Sequence, residues 1–102
     1  MSDTATFAQA RKQHLKVLKQ YVPIVDRVHG PSHPEFHEVR KVFDAVVQKL
    51  DQARSKHPQL EEEFSLLRTI TQNYHVPDDV CESYEAVYLM LSELDDAYHR
   101  NE

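Results

Sequence analysis

The segment that decides the fold lies at residues 34–50 and reads PEFHEVRKVFDAVVQKL. Its apolar residues recur at alternating steps of three and four, which is the spacing of one face of an α-helix. The residues on this stripe are Phe36, Val39, Phe43, Val46 and Leu50. Pro34 stands at the start, where the missing backbone N–H costs no helical hydrogen bond. The segment therefore predicts an amphipathic helix with one buried face.

The residues before this segment predict a first helix over residues 4–29. Its apolar stripe consists of Phe7, Leu18, Tyr21, Val25 and Val28. Thr6 and Gln9 stand three apart near its start, which is the spacing of a capping box. Gly30 and Pro31 follow its last residue. The glycine predicts a C-terminal cap, and the proline prevents the helix from continuing.

Two further helices are predicted after residue 50. The third begins at His57 and Pro58, and its stripe consists of Leu60, Phe64, Leu67 and Ile70. The fourth begins at Pro77, and its stripe consists of Val80, Tyr84, Val87, Leu91, Leu94 and Tyr98. The links between the four segments are about 3 to 5 residues long, and links this short make successive helices antiparallel. The sequence therefore predicts an all-α fold, a short antiparallel four-helix bundle.

The boundary between the second and third helices has an alternative. The stripe that starts at Phe36 continues in register to Phe64, so one helix over residues 34–74 also satisfies the periodicity. Such a helix would contain Pro58 in its interior, at a cost of about 3 kcal/mol. We therefore favour a break at residues 55–57. The alternative is a fold of three helices with one long central helix.

Composition narrows the class of protein. A chain of 102 residues, 40% apolar and 28% charged, predicts one globular domain over residues 1–102. The net charge of −5 argues against nucleic acid and membranes as partners, because both select basic surfaces. The one glycine excludes Gly-rich phosphate loops, and the one cysteine excludes an internal disulfide. With neither a signal peptide nor a spanning apolar run in the sequence, we expect a cytoplasmic location.

Histidine is the compositional exception, with seven in 102 residues. Helical bundles form metal sites from imidazole and carboxylate groups on facing helices, and these ligands suit iron, zinc or manganese. The candidate ligands are His14, His29, His57, His99, Glu61 and Glu102. His57 and Glu61 stand four apart, so both project from one helical face. Histidines near helix ends are also common as caps or solvated residues, so a metal-free interpretation stays open.

The single cysteine has two interpretations. Cys81 lies at the predicted start of the fourth helix, where a thiol is a nucleophile if a base such as His75 is near it. The alternative is a small apolar residue packed beside Val80 and Tyr84. We favour the packed residue and assign no catalytic residue to the chain.

Two stretches of the chain carry a family resemblance. The first contains VP at 22–23, RVHG at 27–30, HPE at 33–35 and EVR at 38–40. The second contains LRTIT at 67–71, NY at 73–74, VP at 76–77, Cys81, Tyr84, AVY at 86–88, Leu91 and EL at 93–94. Together they cover roughly two thirds of the chain. They resemble the hemerythrin-like iron–sulfur cluster repair proteins, known as the RIC family.

The resemblance implies a cytoplasmic four-helix bundle that holds two irons and repairs clusters damaged by oxidative or nitrosative stress. His29 coincides with a family iron ligand, and His57 with the ligand that opens the third helix. His14 falls one position away from the first-helix ligand, where Leu15 stands. The two His-x-x-x-Glu motifs that the family carries late in its second and fourth helices have no counterpart in this sequence. The resemblance therefore implies a shortened member that lacks most of the iron ligands.

Two functions are expected from these features. The first is assistance in iron–sulfur cluster repair or iron handling, as a shortened relative of the RIC family, with iron as the metal if one binds. The alternative is a helical protein-interaction module that has lost the di-iron chemistry. The partner is then an iron–sulfur protein or a second copy of the chain. We expect a homodimer, because the continuous stripe over residues 36–74 offers apolar surface to a partner.

Overall fold

Four helices account for most of residues 6–53 and 58–100, the part of the chain that this computed structural model describes. They are α1 (Phe7–His29), α2 (Glu35–Ala53), α3 (Glu61–Thr71) and α4 (Glu82–Arg100). Helix α1 packs along α4 and α2, and α2 packs along α3. No strand occurs in the described ranges. The predicted all-α four-helix bundle is therefore confirmed.

The link between α2 and α3 decides the number of helices. Residues 58–60 are not helical, so the alternative with one long central helix is wrong. Helix α3 begins at Glu61, three residues later than the start predicted at Pro58. Pro58 is buried, and its carbonyl oxygen accepts a hydrogen bond from the Tyr98 hydroxyl at 3.1 Å. The proline thus contributes its backbone to the core.

The two ends of α1 are set by local chemistry. The Thr6 hydroxyl accepts from the Gln9 N–H at 3.1 Å, and the Gln9 side chain accepts from the Thr6 N–H at 2.9 Å. This confirms the predicted capping box. At the other end Gly30 has an ordinary helical φ of −52° rather than a left-handed one. A Cβ at Gly30 would meet the carbonyl of Asp26 and approach His37 Cε1 to 2.5 Å, so the glycine makes room for α2.

The stripe of α2 is the centre of the core, with every member 2% exposed or less. Its aromatic and aliphatic side chains pack against residues of all the other helices. The continuous apolar surface on which we based self-association is therefore buried within one chain. Val80 of the predicted α4 stripe is partly buried and packs against this core.

Val28 was placed on the buried stripe of α1, and this was wrong: its side chain is 62% exposed. Three residues turn a helix by about 300°, so Val28 lies about 60° from Val25, on the side away from Asp26. Asp26 is buried instead, and its carboxylate pairs with His37 and with Arg40 at 3.1 Å. The buried side of α1 at its C-terminal end therefore includes Asp26 and its ion cluster and excludes Val28. No described helix is apolar over a length that would cross a membrane.

Tyr98 ties α4 to the α2–α3 link. Its side chain is fully buried, and its hydroxyl accepts from the Leu60 N–H at 2.9 Å while donating to the Pro58 carbonyl. Its ring lies 5.4 Å from the rings of both Phe7 and Phe64, measured between centroids. One side chain thus contacts α1, α3 and the link together.

Replacing Tyr98 by phenylalanine preserves the ring and removes both hydrogen bonds. Because the buried Leu60 N–H then lacks a partner, we expect the free energy of unfolding to fall by about 1–3 kcal/mol. The measurement is urea denaturation followed by circular dichroism. The control is Tyr21→Phe, because Tyr21 is only half-buried and water can replace its contacts. Equal losses in the two variants, both below about 0.5 kcal/mol, would contradict this role of Tyr98.

Candidate functional site

A thiol and an imidazole meet at the end of the bundle where α1 stops and α4 starts. The Nε2 atom of His29 lies 3.1 Å from Cys81 Sγ. The His29 ring also makes an edge contact with Tyr84, with 5.4 Å between centroids. Cys81 is exposed, so our interpretation of it as a small packed residue is wrong. The neighbouring imidazole is that of His29, on α1, rather than the His75 that the sequence suggested.

His33 joins the α1–α2 link to the segment before α4. Its Nδ1 atom lies 3.1 Å from a carboxylate oxygen of Glu35, and its Nε2 atom lies 3.1 Å from one of Asp79. Both ring nitrogens thus face acids, and the ring packs on Tyr84 at 5.6 Å. The sequence did not single out His33, because its two partners lie on different segments. His33 thus links the start of α2 to the segment before α4 through polar contacts.

Two buried phenols lie beneath these histidines. The hydroxyls of Tyr84 and Tyr88 are 3.0 Å apart, and Tyr84 donates to Glu35 at 3.4 Å. Burial raises the pKa of Tyr84 above the usual range, and the hydrogen bond to Tyr88 adds to the rise. Burial likewise raises the pKa of Tyr88. Both phenols therefore stay protonated and act as structural hydrogen-bonding groups.

His14 pairs with an acid along the middle of the α1–α4 contact. Its Nε2 atom lies 2.6 Å from a carboxylate oxygen of Glu93. The His14 side chain is 12% exposed and that of Glu93 is 50% exposed. His14 therefore lies at the edge of the contact between α1 and α4. His99 lies on α4 itself, and His29 lies at the far end of α1.

His99 belongs to a cluster around a buried acid at the other end of α4. Its Nδ1 atom lies 2.8 Å from the Asp95 carboxylate, which also accepts from the Tyr74 hydroxyl at 2.7 Å. The Arg68 guanidinium approaches the same carboxylate at 3.6 Å. Asp95 is only 3% exposed, so these three donors replace the water that a carboxylate requires. Burial raises the pKa of Tyr74, with the Asp95 hydrogen bond as the second cause.

Of the three remaining candidate ligands, the structure describes only Glu61. Glu61 is exposed in the first turn of α3. His57 and Glu102 lie outside the described residues. His14, His29 and His99 are each held by a different partner at a different place in the bundle.

In residues 6–53 and 58–100, no three histidine, cysteine or acidic side chains are placed to share a metal ion. A carboxylate-bridged iron pair needs several such ligands converging from facing helices. The described residues therefore do not fit the di-iron pair that the family resemblance implies.

The raised tyrosine pKa values predict that the fold loses stability in alkali. An unfolded tyrosine ionises near pH 10, whereas Tyr74, Tyr84 and Tyr88 keep their protons in the fold. The unfolded chain thus releases protons first, and the free energy of unfolding falls as pH rises above about 10. Lys49, whose pKa the hydrogen bond to Glu63 raises, acts in the same direction.

Urea denaturation between about pH 9 and about pH 11 measures this slope. Tyr84→Phe removes one of the ionising groups and is expected to make the fall less steep, whatever it does to stability at neutral pH. Ionisation of more than two of the five tyrosines near pH 10, with the helices intact, would contradict the prediction.

No family model, curated protein or solved structure matches the chain.

Proposed function

We propose that the chain is a shortened relative of the hemerythrin-like iron–sulfur cluster repair proteins that works without a di-iron centre of its own. It acts in the cytoplasm by contacting another protein, and so assists cluster repair or iron handling under oxidative or nitrosative stress. The resemblance of residues 22–40 and 67–94 supports the repair context. The separate partners of the histidines support the interaction role.

The observation that carries the proposal is that the described candidate imidazoles lie at separate places in the bundle, each with its own partner. A metal centre in a bundle needs several ligands that converge on it from facing helices. Nε2 of His14 faces Glu93, Nε2 of His29 faces Cys81, and Nδ1 of His99 faces Asp95. Among the residues that the structure describes, no third histidine, cysteine or acid joins any of these pairs closely enough to share an ion.

A second candidate function rests on the pair of His29 and Cys81. Imidazole and thiolate are both ligands of iron and zinc, and these two atoms already lie 3.1 Å apart. Two protein ligands are fewer than the four of a closed structural site, so an ion held here exchanges readily with solvent. Such an ion would suit transient iron handling rather than a resident cofactor.

Iron loading separates the two candidates from the family's di-iron chemistry. Untagged protein is incubated anaerobically with ferrous iron, desalted and analysed for metal. We expect less than one iron per chain and no oxo-bridged absorption after exposure to air. Retention of two irons with that absorption would overturn the proposal. One iron per chain bound at equilibrium by the natural chain, measured by dialysis against ferrous iron before desalting, and absent in Cys81→Ser would favour the second candidate.

The repair context has its own test. A purified [4Fe–4S] dehydratase is damaged with nitric oxide and then supplied with ferrous iron and a thiol, with and without the chain. We expect faster recovery of dehydratase activity with the chain present, because the chain contacts the damaged protein. The control is the chain unfolded by heat. Equal recovery of dehydratase activity with and without the folded chain would contradict a role of the chain in cluster repair.

A further inference from the structure

Charge is divided unevenly along this chain. Helix α1 contains five basic residues and one acidic residue, which gives it a net charge of +4 with histidine neutral. Because the whole chain carries −5, the remaining residues carry −9. The chain therefore has a negative net charge overall, but one of its helices, α1, has a strongly positive net charge.

The basic residues of α1 share one face. Lys12, Lys16 and Lys19 recur at steps of four and three, Arg11 adjoins Lys12, and we call these four residues the basic face. The three lysines are exposed and Arg11 is half-buried. They surround a shallow groove of about 510 Å³, whose floor includes Ala8 and Leu15.

Among the residues that the structure describes, no ion pair joins the basic face to an acid. The ion pairs of residues 6–53 and 58–100 are formed by other cations: the histidines, Arg40, Lys49 and Arg68. The only acid of α1, Asp26, is buried against α2 and does not reach this face. Lys12 and Lys16 lie one turn apart, where like charges destabilise a helix. An acidic surface placed here would relieve that repulsion.

The chain itself carries a matching acidic segment. Residues 78–85 read DDVCESYE, with four acids and no basic residue. Asp78, Asp79, Glu82 and Glu85 are all exposed. The segment lies before and within the first turn of α4, away from the groove residues at the start of α1. Every copy therefore presents one surface of each sign to a second copy.

We propose that two copies of the chain associate with the basic face of one against the acidic segment of the other. The α2 stripe, on which an apolar dimer would depend, is buried within each chain. Charge complementarity replaces it as the attraction between copies. Such contacts are screened by salt, so the dimer forms at low ionic strength and dissociates at high ionic strength.

Sedimentation velocity tests this association with purified protein. We compare about 20 mM with about 300 mM salt, between which the Debye length falls from roughly 20 Å to roughly 6 Å. At low salt we expect Lys12→Gln/Lys16→Gln/Lys19→Gln to lower the association constant about tenfold or more, because three cations leave the contact.

Two variants separate the contact from net charge. Lys41→Gln/Gln48→Glu/Gln52→Glu gives the same net charge of −8 on exposed positions of α2, and we expect its association to stay near that of the natural chain. Asp78→Asn/Glu82→Gln makes the chain less negative, which by itself would favour association. The proposal predicts that this variant associates more weakly.

Three results would overturn the proposal. The first is a 12.0 kDa species alone at every salt concentration. The second is a dimer insensitive to salt, and the third is stronger association of Asp78→Asn/Glu82→Gln. If the chain stays monomeric and the basic face binds only added polyglutamate, the face belongs to a foreign acidic partner, which also overturns association between copies.

Discussion

The structure depends on the burial of three tyrosines on α4. Tyr84, Tyr88 and Tyr98 are at most 1% exposed, and a buried hydroxyl without a partner would cost much of the gain from burying its ring. Each of the three hydroxyls has a hydrogen-bond partner. Tyr98 hydrogen-bonds the backbone of the α2–α3 link, while Tyr84 hydrogen-bonds Tyr88 and also donates to Glu35. The phenols thus fix the link to α3 at one end of the bundle and the start of α2 at the other.

The same tyrosines determine what the histidines do. His29 and His33 pack on Tyr84, and His99 packs on Tyr98, so these imidazoles lie at the edge of the aromatic core. Ring nitrogens of these histidines contact carboxylates or, for His29, the thiol of Cys81. An imidazole held in this way joins helices across a partly wet boundary. In a di-iron bundle the ligands would instead project together into the core, which here is filled by aromatic and aliphatic side chains.

The sequence was sufficient for the helices and most of the core because periodicity reports which face of each helix is apolar. The α2 stripe and the capping box at Thr6 were predicted correctly on that basis. Periodicity does not report how far a helix is rotated towards its neighbour, and so Val28, which was expected to be buried, is exposed while Asp26 is buried.

The partners of the candidate site residues were beyond the reach of the sequence for a related reason. His14 meets Glu93, and His29 meets Cys81, across helices that are far apart in the chain. No local pattern encodes such a pairing. A signal was present for Asp95, since an acid within an apolar stripe between Leu94 and Tyr98 has to find donors if it is buried.

The central claim is that the histidines of the described chain are held singly, by separate partners, rather than as one metal-binding set. Nitrogen-15 NMR of the imidazole side chains during a zinc titration tests it most directly, because zinc binds the same ligands and leaves sharp spectra. The account predicts that His14 and His99 keep their chemical shifts at one equivalent of zinc. Joint, saturating shifts of His14, His29 and His99 at that equivalence would contradict it.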